Sequence, residues 1–316
     1  MFLIITGPTG VGKSKIAVEL ALKINGEIIS TDSMQIYKGM DIGTYKIKKE
    51  EMKGVKHYML DIVSPDENFT VADFKKLAEK YMDEIKQKGK IPILAGGTGL
   101  YIDSIIKGLF ALEKKDTKLR DKLNKIYDEK GLDYLVALLK KKDREAAELI
   151  DLKNPRRVIR ALEILLTNKK KLKELRKLTE QTKYDDDYLI FVLTMERKQL
   201  YERINKRVDI MFNNGLIQEV SRLLENGVKR NSTSMQAIGY KQVIDFTTKN
   251  IFDNIEKIKD NIKKATRNYA KRQITWFKKY KEAIWLDITN KTKEEVISEI
   301  LKYLNQRNKN EKNFSK

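Results

Sequence analysis

The stretch that decides the fold is GPTGVGKS at residues 7–14, which follows the apolar run FLIIT at residues 2–6 and precedes a helix-period segment at residues 13–24. It fits the phosphate-loop pattern G-x-x-x-x-G-K-[ST] in full, and the flanking strand and helix are the context that this pattern requires. Glycines let backbone N–H groups wrap closely round an oxygen-rich group, and a helix N-terminus favours negative charge. The stretch therefore predicts a phosphate-binding turn that opens an α/β core.

The two residues that end this loop carry its most specific chemistry. Lys13 is expected to place a cation on the outermost phosphate, and Ser14 to provide a hydroxyl ligand for Mg²⁺. Nucleoside triphosphates and simple diphosphates present similar oxygens, so the loop does not distinguish between them. The alternative to a phosphate site is an ordinary glycine-rich strand-to-helix turn that binds no ligand. The candidate phosphate contacts are Gly7, Pro8, Thr9, Gly10, Val11, Gly12, Lys13 and Ser14.

The composition excludes several kinds of active site. The 316 residues include no cysteine and a single histidine, His57. Disulfides, thiolate nucleophiles and cysteine-ligated zinc are therefore impossible, and metal sites built on several histidines are disfavoured. No apolar run approaches the roughly 18 residues that a membrane span needs, and the chain enters a strand at once. We expect a soluble, cytoplasmic protein with no signal peptide.

The positive charge is concentrated in the C-terminal two thirds of the chain. Residues 1–110 carry 16 Lys/Arg against 14 Asp/Glu, whereas residues 111–316 carry 49 against 31. A general bias towards lysine would affect both parts alike. The uneven distribution instead favours a polyanionic partner such as nucleic acid for the C-terminal part.

Two further polar residues are expected at the same edge of the sheet as the phosphate loop. Asp32 follows the strand-like run EIIS at residues 27–30, and Thr98 lies in a second glycine-rich turn, GGTGLY, after the run IPILA at residues 91–95. Ligands of open parallel sheets bind outside the carboxyl ends of the strands. Asp32 and Thr98 are therefore candidates for chemistry, although Asp32 could simply cap the next turn.

Four other residues have weaker signals. Asp61 ends the short run HYMLD at residues 57–61 and could bind Mg²⁺, while His57 is interpreted as a structural residue. Arg203 and Arg207 lie four residues apart on one face of a predicted helix, and their role stays open.

The alternation of strands and helices stops near residue 113 and returns with the strand YLIFVLT at residues 188–194. This pattern predicts a catalytic core at residues 1–112 and 188–316, with a mostly helical insertion at residues 113–187. In the C-terminal part, residues 267–280 interleave basic and aromatic side chains. That arrangement suits phosphate contact with base stacking, and it equally suits an amphipathic helix that buries its rings.

Six blocks in this order together resemble the tRNA dimethylallyltransferase family, also called tRNA isopentenyltransferases. They are GPTGVGKS at 7–14, DSMQIYKGMDIGT at 32–44, GGTGLY at 96–101, NPRRVIRALE at 154–163, MQAIGYKQ at 235–242 and TRNYAKRQITWF at 266–277. The resemblance covers nearly the whole chain. It implies a P-loop NTPase-like α/β core with a parallel sheet and an inserted helical domain that binds tRNA.

The resemblance also implies a reaction and its participants. A dimethylallyl group would pass from dimethylallyl diphosphate to N6 of the adenosine next to the tRNA anticodon on its 3′ side, with Mg²⁺ as cofactor and diphosphate released. The partner would be the anticodon stem-loop of tRNA, and the protein would act as a monomer.

Site residues follow by the same resemblance. Asp32 would act as the general base, Thr98 would position the amine or the departing oxygen, and Lys13 would stabilise the leaving group. The residues that resemble tRNA contacts, with Asp32 and Thr98 among them, are Ser33, Met34, Gln35, Arg120, Arg156, Arg157, Val158, Ile159, Arg160, Gln236, Ala237, Ile238, Gly239, Tyr240 and Lys241.

Three other functions are compatible with parts of this sequence. A small-molecule or nucleotide kinase would use the same loop but would require ATP. An RNA-binding protein with a relic loop would not need Lys13, Ser14 and Asp32 together. An adenylate isopentenyltransferase would have no use for the basic C-terminal part.

Overall fold

The computed structural model describes residues 1–109, 117–168, 171–174, 179, 182–248 and 255–314. Their contacts divide the chain into two compact units, one formed by Met1–Ile102 with Asp185–Lys316 and the other by Asp103–Tyr184. The second unit starts earlier than the insertion predicted at 113–187. Its two chain ends are bonded to each other, since the N–H of Tyr184 donates to the carbonyl of Ile105 and that of Leu109 donates to the Thr182 hydroxyl.

The first unit is built on one six-stranded parallel sheet, in which the strand order is β3-β2-β4-β1-β5-β6. This confirms the α/β fold class with a parallel sheet. The strands are β1 Phe2–Thr6, β2 Gly26–Ser30, β3 His57–Tyr58, β4 Ile91–Ala95, β5 Tyr188–Thr194 and β6 Ile284–Asp287. The helices are α1 Lys13–Ile24, α2 Val71–Gln87, α3 Gly99–Ile106, α4 Thr117–Lys142, α5 Arg144–Leu149, α6 Pro155–Asn168, α7 Arg197–Asn213, α8 Leu216–Glu225, α9 Tyr240–Thr248, α10 Ile255–Phe277 and α11 Lys293–Phe314. Two short 3₁₀ turns span Lys49–Met52 and Ser234–Gln236.

The central strands are apolar because helices cover both faces of a parallel sheet. All five residues of β1 are buried, and so are all five of β2. Since β2, β4 and β1 are neighbours in the order of the sheet, their carboxyl ends lie side by side. The segments that follow these three strands begin at Thr31, Gly96 and Gly7. The sheet therefore brings three separate parts of the sequence to one edge.

A second apolar core of the first unit lies among the helices that follow β5. Val208 and Met211 of α7, Val220 of α8 and Tyr240 of α9 pack there with residues of the segment that follows β2, among them Ile36, Tyr37 and Met40. This packing fixes the position of residues 34–44 relative to α7 and α8.

The second unit is helical and contains α4, α5 and α6 together with the end of α3, from residue 103 to residue 106. Helix α4 is interrupted at Gly131, whose φ is 76°. Leu135 and Leu139 of α4 pack against Val158 and Leu162 of α6 in a core of their own. No helix in the described part of the chain combines the length and the apolar character needed to cross a membrane.

Candidate active site

The phosphate loop folds tightly against β5. Gly7, Gly10 and Gly12 have φ values of 142°, 84° and 106°, a region that side-chain-bearing residues rarely adopt. A Cβ at Gly7 would also collide with the carbonyl oxygen of Leu193. Glycine is therefore required at Gly7 for the loop to approach the strand.

Lys13 is partly buried against the loop that precedes it. Its Nζ donates to the carbonyl oxygens of Gly7 and Pro8, both at 2.9 Å. Burial lowers the pKa of Lys13 to about 7; the charge of Asp32 acts in the opposite direction, and that of Arg207 lowers the value further. An anion near Nζ would favour the charged form, so Lys13 is a cation whose charge depends on what occupies the loop.

A cavity of about 330 Å³ opens over the phosphate loop. Its wall contains the predicted phosphate contacts Thr9, Gly10, Gly12, Lys13 and Ser14 together with Asp32 and Gln35. Gly7 and Pro8 contribute the carbonyls that hold Lys13, and the side chain of Val11 is buried in the core. The cavity also contains cations that the phosphate-loop pattern does not include: Lys15, Arg203, Lys206 and Arg207.

Arg207 is the most strongly held of these cations. Its guanidinium donates to the Thr9 hydroxyl at 3.3 Å and to the Thr44 carbonyl at 2.9 Å. Burial lowers the pKa of Arg207 to about 10, and Asp32 and Tyr45 oppose that shift. Arg203, one turn earlier on α7, donates to the Val11 carbonyl at 3.4 Å. The spacing of these two arginines, noted in the sequence, turns both towards the phosphate loop.

A second cavity, of about 270 Å³, adjoins the first. It shares the wall residues Thr9, Asp32, Arg207 and Tyr269 with the phosphate cavity. The rest of its wall brings together two predicted tRNA-contact segments that are about 200 positions apart in the chain, Asp32-Ser33-Met34 and Gln236-Ala237-Ile238. Gln35 lines the phosphate cavity, whereas Ser33 and Met34 line the second cavity.

Asp32 lines both cavities, and Thr98, which lines neither of them, contacts the next residue, Ser33. Asp32 Oδ1 accepts the N–H of Met34 at 2.9 Å, and Thr98 Oγ1 accepts that of Ser33 at 3.1 Å. Burial raises the pKa of Tyr269 to about 12, and the Asp32 carboxylate acts in the same direction, whereas a hydrogen bond with Thr98 opposes it. The Tyr269 phenol is therefore neutral and available as a donor in the wall that the two cavities share.

Helix α10 supplies residues that the sequence interpretation missed. Tyr269 and Gln273, one turn apart on α10, both line the phosphate cavity. The amide of Gln273 accepts the N–H of Thr9 at 2.8 Å and donates to the carbonyl of Gly97 at 2.9 Å. The four-residue spacing of Tyr269 and Gln273 places both on one face of a helix, and this signal could have identified them. The basic and aromatic residues of the stretch favoured other interpretations.

The aromatic residues of residues 267–280 have mixed roles. Phe277 and Tyr280 are buried, whereas Trp276 is half-buried with the Lys279 ammonium 4.5 Å from its ring. The interpretation as an amphipathic helix that buries its rings therefore holds for Phe277 and Tyr280. Among these aromatic residues, Tyr269 alone lines the two cavities.

The predicted tRNA contacts of the second unit divide by exposure. Arg156 and Arg157 are exposed at the start of α6, and Arg157 lies 3.9 Å from the Asp151 carboxylate. Arg160 and Arg120 both pair with the buried Glu163, at 2.9 and 3.3 Å. The side chains of Val158 and Ile159, in contrast, are buried in the core of this unit. A direct side-chain contact with tRNA is therefore incompatible with the positions of Val158 and Ile159.

The block at residues 236–241 is divided in the same way. Gln236 and Lys241 are exposed, whereas Gly239 and Tyr240 are buried. The Tyr240 hydroxyl donates to Glu219 at 2.5 Å inside the second apolar core. Tyr240 is thus a buried structural residue in this fold rather than an RNA-contacting side chain.

The described residues contain no group of three or more His, Cys, Asp or Glu side chains arranged for a metal ion. The Asp61 carboxylate pairs with Lys46 and does not line either cavity, and His57 is held by the Val55 carbonyl at 2.8 Å. Mg²⁺ commonly keeps several waters and binds through substrate phosphates and few protein ligands. The hydroxyl of Ser14 in the phosphate cavity fits such a site.

Comparisons with known proteins agree with this geometry. The sequence model of the family described as IPP transferase matches residues 35–280. A tRNA dimethylallyltransferase of Acetivibrio thermocellus is 46% identical over 302 residues, which are 95% of this chain and 96% of the relative. A tRNA dimethylallyltransferase of Clostridioides difficile is 45% identical over 96% of both chains.

Solved structures of similar proteins extend the comparison to three dimensions. The full-length tRNA isopentenylpyrophosphate transferase of Bacillus halodurans has a TM-score of 0.74 at 40% identity, covering 99% of this chain and 98% of that one. A eukaryotic dimethylallyltransferase acting on tRNA has a TM-score of 0.79 at 31% identity, covering 92% of this chain and 74% of that one. By sequence and by structure, the chain belongs to the IPP transferase family.

Proposed function

We propose that this chain is a tRNA dimethylallyltransferase, which transfers a dimethylallyl group from dimethylallyl diphosphate to N6 of the adenosine 3′-adjacent to the anticodon. The observation that carries the proposal is the pair of adjoining cavities that share Thr9, Asp32, Arg207 and Tyr269. One is lined by a phosphate loop and cations, and the other by the segments at 32–34 and 236–238. A diphosphate donor and a nucleobase acceptor need such a pair of compartments with a common wall.

The phosphate cavity is suited to a diphosphate leaving group. Negative charge grows on the diphosphate as the C–O bond to the dimethylallyl group breaks, and preorganised donors that face this charge lower the barrier. Lys13, Arg203, Arg207 and the N–H groups of the phosphate loop supply those donors. Ser14 would hold Mg²⁺, which when bound supplies further charge neutralisation there.

The second cavity is suited to an adenine. The exocyclic amine is a poor nucleophile because its lone pair is delocalised, so a base that removes its proton assists the attack. As the C–N bond forms, the amine proton passes to the Asp32 carboxylate, and the electron pair of the breaking C–O bond leaves with the diphosphate. The adenosine has to leave its stack to enter the cavity, at a cost of a few kcal/mol.

The tRNA itself needs contacts beyond this cavity. We propose that the exposed Arg156 and Arg157 contact its phosphates, and that the ion-paired Arg120 and Arg160 exchange Glu163 in part for phosphate oxygens. The protein would work as a monomer in the cytoplasm.

The decisive experiment is a labelling assay. Purified protein is incubated with labelled dimethylallyl diphosphate, Mg²⁺ and unmodified tRNA that carries adenosines 3′ of the anticodon, and label is expected in the tRNA. Label in AMP instead would indicate an adenylate isopentenyltransferase. Consumption of ATP without labelling of tRNA would indicate a kinase, and either result would overturn the proposal.

A further inference from the structure

A buried carboxylate on α8 supports the loop at residues 41–45, which contributes to the walls of both cavities. Glu219 is only 2% exposed. Its Oε2 accepts the backbone N–H of Asp41 at 2.9 Å and of Ile42 at 2.8 Å. Its Oε1 accepts the N–H of Gly43 at 3.0 Å and the hydroxyl of Tyr240 at 2.5 Å. Glu219 therefore receives four hydrogen bonds, three of them from consecutive amides.

These four donors explain how a carboxylate is tolerated at this depth. An unpaired buried charge is costly unless a cation or several donors satisfy it, and among the described residues no cation forms an ion pair with Glu219. Successive N–H groups that converge on one point form a concavity for anions, often used for ligands. Here the chain fills this concavity with its own carboxylate.

The loop held in this way reaches both cavities. Gly43 and Thr44 line the second cavity, and Tyr45 lines the phosphate cavity. The Thr44 carbonyl accepts from the Arg207 guanidinium at 2.9 Å and from the Gln35 amide at 3.3 Å. The position of one backbone carbonyl thus orients the guanidinium in the wall that the two cavities share.

Close packing also holds this loop in place. A Cβ at Gly43 would collide with the ring of Tyr240, so the backbone at Gly43 lies directly on that ring. The Thr44 hydroxyl donates back to the Met40 carbonyl at 2.6 Å. The contacts of Tyr240 and Glu219 with residues 41–43 therefore hold the loop in place when no substrate is bound.

We propose that Glu219 is a positioning residue for the transfer reaction, which holds residues 41–43 so that the Thr44 carbonyl orients Arg207 towards the donor diphosphate. Tyr240 assists by donating to Glu219 and by supporting Gly43. The assignment rests on the proposed function only in naming the diphosphate as part of a prenyl donor. It predicts an effect on diphosphate affinity that depends on Arg207.

The test compares Glu219→Gln and Tyr240→Phe with the matched control Glu225→Gln, an exposed residue at the end of the same helix. Glutamine keeps the shape of Glu219 but turns an NH₂ group towards the donors, and phenylalanine keeps the ring under Gly43. Hydrogen exchange of the amides of residues 41–43 reports the loop directly. Titration with inorganic diphosphate reports the phosphate cavity, and neither measurement needs tRNA or turnover.

In Glu219→Gln we expect these amides to exchange at least about tenfold faster and diphosphate to bind about tenfold more weakly, as for one lost hydrogen bond to a charged group. Tyr240→Phe should change both in the same direction by a smaller factor, and Glu225→Gln neither. In an Arg207→Gln background, Glu219→Gln should weaken diphosphate binding by less than about twofold, because the two residues act in series.

Two results would overturn the inference: unchanged exchange at residues 41–43 in a folded Glu219→Gln protein, or full additivity of the Glu219 and Arg207 effects on diphosphate affinity. If Glu219→Gln does not fold, Tyr240→Phe decides by the same criteria. If the variants show this coupling but the wild-type protein does not label tRNA, the proposed function is contradicted and the positioning role stands.

Discussion

The guanidinium carbon of Arg207 lies 4.1 Å from the centroid of the Tyr45 ring. The same guanidinium is bonded to the Thr9 hydroxyl and the Thr44 carbonyl, so its plane is set by an aromatic face and two oxygens. With a pKa lowered only to about 10, Arg207 stays charged at neutral pH. The wall between the two cavities therefore carries an oriented positive charge.

Replacement of Arg207 by lysine should lower kcat/KM for dimethylallyl diphosphate by about 100-fold, because an ammonium cannot stack on Tyr45 and bond both oxygens in one plane. Steady-state prenylation of tRNA measures the loss, with Arg222→Lys on α8 as the control. A loss of less than about threefold would mean that the guanidinium geometry is not needed.

Asp32→Asn should reduce turnover by about 100-fold or more, since an amide cannot take the proton of the attacking amine. The asparagine oxygen can still accept the N–H of Met34, which keeps the segment at 32–34 in place. Single-turnover rates and tRNA affinity are measured together, and we expect the affinity to stay within about threefold. Normal single-turnover chemistry with weakened tRNA binding would move Asp32 from catalysis to recognition.

Diphosphate binding should take up a proton above pH 7. The pKa of Lys13 in the free protein is lowered to about 7 by burial, so Lys13 is mostly neutral at pH 8. A diphosphate beside Nζ favours the charged form and raises this pKa. Affinity should therefore fall as pH rises from 7 to 9, and calorimetry in buffers of different ionisation enthalpy should show the uptake.

The matched variant for this prediction is Lys13→Arg, whose side chain stays charged over the whole range. It should lose the pH dependence that comes from residue 13 even if its affinity is lower overall. Equal proton uptake in wild type and variant would assign the proton to another group.

Arg157→Gln should weaken tRNA binding and reduce the slope of log K against log salt concentration by about 0.7 to 0.9, the value for one lost phosphate contact. Arg144→Gln, also exposed in the second unit but outside the block at 154–163, should leave the slope unchanged. A normal slope for Arg157→Gln would indicate that Arg157 does not contact a phosphate.

The sequence was sufficient to predict which residues lie near the carboxyl ends of the parallel strands. Lys13, Asp32 and Thr98 come directly after β1, β2 and β4, and the geometry of a parallel sheet brings the ends of adjacent strands together. Arg207, whose role the sequence left open, and Tyr269 and Gln273, which it did not single out, come from helices. Which side of a helix faces the cavity depends on how that helix packs, and local sequence does not contain that information.

Residues inside a recognised block can also have opposite roles. Arg157 and Val158 are neighbours in the block at 154–163, but one is exposed and the other is in the core. Successive helical residues point about 100° apart, so a block as a whole can bind RNA while its apolar members only support it. Tyr240 is a further case. The division into a catalytic core and a tRNA-binding insertion stays a prediction about function, whatever the boundaries of the compact units.

The bridge made by Gln273 has a consequence for any attempt to shorten this protein. One amide side chain links the N–H of Thr9 to the carbonyl of Gly97, so both glycine-rich turns are tied to a helix that lies more than 170 residues further along the chain. A truncated fragment that ends before α10 would retain every residue of the phosphate-loop motif and still lack the strut between the two turns. The smallest functional unit of this enzyme is therefore defined by its C-terminal helices as much as by the N-terminal motif.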